Sequence, residues 1–107
     1  MRRGEIRWYQ FAEPDKRRPV LILGRQSVLG ALHQVIVVPT TRTVRGLQTE
    51  VVLSEADGMP THCALNADHL AAARLDRLGG VLAVLPEPRW PEVDMAVRVA
   101  CGFAAQH

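Results

Sequence analysis

The stretch Lys16-Arg17-Arg18-Pro19-Val20-Leu21-Ile22-Leu23 decides the fold class. Its second half is an unbroken apolar run opened by a proline. Proline has no N–H to give a sheet and so suits the first residue of a strand, while a short continuous apolar run suits a strand covered on both faces. The residue before a proline is confined to extended backbone. This holds Arg18 at the mouth of the strand and leaves Arg17 and Lys16 farther out on a basic loop.

Upstream, Glu5-Ile6-Arg7-Trp8-Tyr9-Gln10-Phe11 mixes aromatic and β-branched residues and stops at the turn signal Glu13-Pro14-Asp15, which predicts a first strand. Downstream, Val35-Ile36-Val37-Val38 predicts a third strand that ends at Pro39 and delivers the polar stretch Thr40-Thr41-Arg42-Thr43. Thr49–Leu53, Cys63–Ala67 and Val81–Leu85 predict three more. Leu70 to Leu78 is ambiguous, because its alanines favour a helix and its shortness favours a turn or a single helical loop. The period changes only at the end, where Val93, Ala96, Val97, Ala100, Cys101 and Ala104 fall on one helical face, with Pro91 at the first helical position. Six short strands and one terminal helix predict a mostly β fold, a small and strongly bent antiparallel barrel packed on a helix.

At 107 residues the chain has room for one domain, residues 1–107, and 48% hydrophobic residues are enough for a modest core. The formal charge is only +2, yet its distribution is uneven. Arg2, Arg3, Arg7, Lys16, Arg17, Arg18, Arg25, Arg42 and Arg45 crowd the first half, and the second half leans acidic. Such an excess attracts phosphates. The two cysteines, Cys63 and Cys101, have no CxxC spacing and read as buried thiols. Neither a leader nor a membrane-spanning run is legible, so a cytoplasmic protein is expected.

The order of these motifs resembles the MazF/PemK family of toxins. Arg3-Gly4-Glu5-Ile6 is similar to that family's opening strand, and Lys16 to Leu23 to its loop-then-strand signature with arginine directly before proline. Val35-Ile36-Val37-Val38-Pro39-Thr40-Thr41 is similar to its strand ending in Thr or Ser. Asp57-Gly58-Met59-Pro60 and Asn66-Ala67-Asp68-His69 resemble its glycine-containing loop and its strand closing on aspartate. Two places differ. Arg7 stands where family members have a tryptophan, with Trp8 one residue later, and His69 stands in place of a glutamine.

The resemblance implies an SH3-like antiparallel barrel with a C-terminal helix and sequence-specific cleavage of single-stranded RNA. It also implies a homodimer and an acidic, partly disordered MazE-like antitoxin that covers the RNA groove. Neither cofactor nor metal is expected, since the sequence has no His/Cys/Asp/Glu cluster with metal-ligand spacing. Metal-free cleavage uses the ribose 2′-hydroxyl as nucleophile and yields a 2′,3′-cyclic phosphate and a 5′-hydroxyl. The protein must then bind the phosphate, accept the 2′ proton and stabilise the leaving oxygen.

Arg18 is the expected phosphate ligand, because its fork can hold two oxygens, and a guanidinium is too basic to act as the proton acceptor. Thr41 is expected to donate a hydrogen bond to a nonbridging oxygen. Thr40 competes for that role, and strand alternation lets only one of the pair face the site. Asp68 is expected to orient a donor and His69 to accept a proton, although as strand neighbours they would point to opposite faces. Arg17, Lys16 and Arg42 are expected to bind RNA by charge, and Trp8 by stacking on a splayed base. Two competing functions use the same fold: a CcdB-like toxin that binds DNA gyrase without nuclease chemistry, and a non-catalytic RNA-binding barrel.

Overall fold

The computed structural model describes residues 1–11 and 17–105. The order is β1 (Glu5–Gln10), β2 (Arg17–Ile22), β3 (Gln34–Thr41), β4 (Glu50–Leu53), β5 (Cys63–Asn66), β6 (Ala71–Arg74), β7 (Leu78–Val84) and α1 (Trp90–Ala100), with short 3-10 turns between several of them. Among the described residues the strands form one antiparallel sheet in the order β4-β5-β3-β2-β1-β7, with β6 also paired to β3.

β3 organises this sheet. One edge pairs with β2 from Val37 to Pro39. The other edge pairs with β6 from Gln34 to Val37 and with β5 at Thr40 and Thr41. β5 and β6 are thus one strand interrupted by the 3-10 turn Ala67–His69. The continuous apolar run of β2 is explained by cores on both faces of the sheet. Leu21 joins Ile6, Val38, Leu53, Leu65, Met59 and the α1 residues Val93 and Ala96, whereas Val20 and Ile22 join Tyr9, Leu29, Val35, Val37 and Ala73.

Several expectations are corrected. The ambiguous stretch 70–78 supplies a seventh strand, β6, and a 3-10 turn at Leu75–Arg77, not a helix. Pairing of Ala71, Ala72 and Ala73 with Val37, Ile36 and Val35 overrides alanine's helix preference, and the Arg74 amide donates to the Tyr9 hydroxyl at 3.1 Å. β2 begins at Arg17, so both arginines are strand residues, with Gln10 and Tyr9 as cross-strand partners. Pro39 lies inside β3 and does not end it; it is paired with Val20, and the strand runs on through both threonines. The helix opens at Trp90, one residue before Pro91, and ends at Ala100. Cys101 caps the helix just before Gly102, at φ +80°, and is exposed, whereas Cys63 is buried as expected.

Candidate active site

The pairing of β2 with β3 stops at Val20 and Pro39, while β3 continues to Thr41 against β5. The two strands part there, and a cleft of about 590 Å³ opens between them. Just beyond the last pair the Thr40 hydroxyl donates to the Pro19 carbonyl at 2.9 Å. On one side stand Trp8, Arg17, Arg18 and Pro19; on the other, Met59, Pro60, Thr61 and Cys63; Thr40 to Thr43 lie between.

The cations at this cleft are available. Arg17 and Arg18 form no ion pair with a described carboxylate. The Arg17 guanidinium lies 5.0 Å from the Trp8 ring centroid, and that of Arg18 lies 5.5 Å from the Phe11 ring. Cation–π contact of this kind orients a guanidinium without neutralising it. The described residues lining the cleft include no carboxylate and no imidazole. Among the described residues nothing cancels their positive charge at the cleft, which suits a polyanion.

The two threonines differ in what their hydroxyls can offer. Thr40 is buried and its proton is committed to the Pro19 carbonyl. Thr41 is half-buried, and its oxygen accepts the Thr43 amide at 3.1 Å, which leaves the hydroxyl proton free to point into the cleft. Burial, helped by the negative charge of Asp57 and opposed by Arg42, pushes the Cys63 thiol up, so it stays protonated at neutral pH.

Trp8, Arg17, Arg18, Thr40, Thr41 and Arg42 are thus brought together. Asp68 and His69 do not line the cleft. β5 has already ended at Asn66, whose side chain accepts the Asp68 amide at 3.1 Å and turns both residues onto the 3-10 turn, at the other end of β5 from Cys63. There the Asp68 carboxylate accepts the Thr49 hydroxyl at 2.6 Å, a structural tie between β4's approach and the turn. Lys16 lies outside the described residues. Sequence reasoning assigned no site role to Met59, Pro60, Thr61 and Cys63. The Asp57-Gly58 turn signal marks the loop that carries them, but only the register of β5 against β3 places it beside Thr41.

Residues 2–101 match the family model described as PemK-like, MazF-like toxin of type II toxin-antitoxin system. This chain belongs to that family. A probable endoribonuclease MazF5 of Mycobacterium tuberculosis is 36% identical, across 92% of this chain and 90% of that protein. Among solved structures, Mycobacterium tuberculosis toxin MazF-mt6 superposes with a TM-score of 0.86 at 33% identity, covering 94% of this chain and 99% of that one. MazF in a MazE–MazF crystal structure from Deinococcus radiodurans superposes with a TM-score of 0.81 at 25% identity, covering 97% and 98%. The MazF-type fold is therefore shown along with the family, whose relatives by sequence carry the name endoribonuclease.

Proposed function

We propose that this MazF-type endoribonuclease toxin cleaves single-stranded RNA in the cleft between β2 and β3 without a metal ion. The observation that supports the reading is a cleft lined by both Arg18 and Thr41, whose described lining has cations and hydroxyls but no carboxylate. The ribose 2′-oxygen bonds to the adjacent phosphorus as the P–O5′ bond breaks. The 2′ proton passes to water, and the departing 5′-oxygen takes one from water. Arg18 holds the nonbridging oxygens and offsets the charge that grows on them, and Thr41 donates its free proton to one of them. Arg17, Arg42 and Trp8 hold the flanking nucleotides, with Lys16 adding charge; Thr40 braces the cleft floor. Asp68 and His69 are assigned to the fold around Thr49, not to the chemistry.

The relatives support the rest of the setting. The chain is restrained by a MazE-like antitoxin, in line with the solved MazE–MazF structure of the Deinococcus relative, and it acts as a homodimer in the cytoplasm. Small domains gain core by pairing. Cleavage of a purified RNA in excess EDTA, with the ends of the products identified, tests the mechanism. A 2′,3′-cyclic phosphate and a 5′-hydroxyl are expected. Loss of activity on chelation, restored by magnesium, would overturn the metal-free reading.

A further inference from the structure

The wall of the cleft that faces Arg18 and Thr41 is built by the loop between β4 and β5. Ser54 caps a short 3-10 turn over Glu55–Asp57, Gly58 reverses the chain at φ +89°, and the Met59 amide returns to the Ser54 carbonyl at 3.2 Å. The residues that follow, Met59, Pro60 and Thr61, line the cleft. What fixes this turn is the Asp57 carboxylate. One oxygen accepts the Ser54 amide at 3.0 Å and the other accepts Nη1 of Arg89 at 2.6 Å.

Arg89 reaches this carboxylate from the N-terminal end of α1, across 32 residues of sequence. Its Nη2 donates to the Val52 carbonyl of β4 at 2.6 Å, and its Nε donates to Glu92. A single guanidinium therefore joins the helix, the edge strand and the loop. Its side chain is 22% exposed and that of Asp57 only 9%, so the pair is more than a solvated surface contact. Met59, two residues after Asp57, is buried in the same core as Val93 of α1. The helix end and the cleft wall are thus joined both by hydrogen bonds and by a shared core.

We propose that Arg89 and Asp57 are positioning residues for RNA cleavage, setting the separation of the Met59-Pro60-Thr61 wall from the Arg18–Thr41 wall and thereby the fit of the nucleotides that flank the cut. This rests on the assignment of the cleft as the RNA site. Neither residue lines the cleft. Both act through the loop, so their loss loosens binding in the ground state and the transition state alike. Such a loss raises KM and leaves kcat nearly alone.

The test compares wild type with Arg89→Ala, Arg89→Lys, Asp57→Asn, Asp57→Glu and Glu92→Gln, in steady-state cleavage of a short single-stranded RNA. A set of RNAs varied at the bases beside the cut is run in parallel, with thermal midpoints measured in the same buffer. Arg89→Ala and Asp57→Asn are expected to lower kcat/KM by on the order of tenfold, through KM, with altered preference among the flanking bases. Arg89→Lys should fall between, because an ammonium cannot serve three acceptors at a fixed fork geometry. Asp57→Glu should recover part of the loss. Glu92→Gln should show a smaller loss than Arg89→Ala, since its amide oxygen can still accept from Arg89 and it does not touch the loop.

Unchanged KM and base preference in Arg89→Lys and Asp57→Asn, with only the thermal midpoint lowered, would overturn the proposal. So would an equal rise in KM in Glu92→Gln. These variants fold if Arg89→Ala does not, so the question stays answerable. Should Arg18→Ala and Thr41→Val also leave cleavage unchanged, the cleft assignment itself has failed, a different result from the loss of the positioning role.

Discussion

Thr40 and Thr41 are neighbours on β3 whose hydroxyls face opposite demands: that of Thr40 donates to the Pro19 carbonyl at 2.9 Å, whereas that of Thr41 accepts the Thr43 amide at 3.1 Å and keeps its proton. Thr41→Val, close in size and lacking the hydroxyl, should therefore lower single-turnover cleavage by on the order of tenfold to a hundredfold, with the thermal midpoint nearly unchanged. Thr40→Val should do the opposite. It removes the partner of a carbonyl in a part-buried position and should cost about 1–2 kcal/mol of stability while sparing the cleavage step. Cleavage rates and denaturant midpoints measured on both variants separate the two roles, and equal loss of chemistry in both would refute this division.

Part of this candidate site was legible in the sequence, although both strand ends lay two residues from where the prolines suggested. Arg18 before Pro19 and Thr41 after Pro39 are end-of-strand residues, and the resemblance to a toxin family singled them out. What was not legible depends on pairing between distant segments. β6 looks helical in isolation because alanine has no strand preference of its own; only its place along β3 makes it a strand. Asp68 and His69, reactive side chains at a strand end, fall outside this cleft because the register of β5 with β3 sets which of its ends faces the cleft, and Cys63 is at that end. Arg89 gave no local signal at all, since its partners are Asp57 and the Val52 carbonyl.

The same Asp57 gives the fold a defined acid sensitivity. Burial by itself would raise its pKa, but the Arg89 hydrogen bond, the Ser54 amide and the charge of Arg89 outweigh burial and hold the carboxyl below its ordinary value. A group with a depressed folded pKa binds protons more readily when unfolded. Its contribution is present above the unfolded value of about 3.9 and is lost as the pH falls through the lower folded value. Urea unfolding from pH 6 downward should show stability falling below about pH 4, and Asp57→Asn should flatten that part of the curve. A wild-type curve no steeper than that of the variant would mean that the pair contributes nothing to folding.

Arg18 and Arg17 should separate chemistry from attraction. Arg18, half-buried and lining the same cleft as Thr41, should on replacement by alanine cut the maximal rate by on the order of a hundredfold, as loss of one well-placed charge stabiliser does. Arg17→Ala should weaken RNA binding in a salt-dependent way, reducing the slope of log affinity against log salt by about 0.7, with the maximal rate little changed. Dissociation constants at several salt concentrations, read beside single-turnover rates, test both. The reverse pattern would exchange the two assignments.

Gly79 sits on β7 against the Trp8–Arg17 stack. A Cβ placed there would come within 3.2 Å of the Trp8 Cβ and 3.1 Å of an Arg17 guanidinium nitrogen, with the Trp8 carbonyl at 3.5 Å. The arginine tip can swing aside; the Cβ of Trp8 is anchored to β1 and can give only a few tenths of an ångström. Gly79→Ala should therefore keep the fold but displace Arg17 from the Trp8 ring, where it now lies 5.0 Å from the centroid. If this stack is the shelf on which a nucleobase rests, the loss of one base–aromatic contact is worth about 1–3 kcal/mol, or roughly five- to 150-fold in affinity. The maximal cleavage rate should hold, because Arg18 and Thr41 are untouched. Trp8→Ala should weaken binding similarly, and adding Gly79→Ala to it should cost little more, since the shelf is already gone. Binding of a short RNA to the two single variants and the double variant, with cleavage measured on each, checks the argument. Full additivity of the two substitutions would show that Gly79 and Trp8 act at separate places.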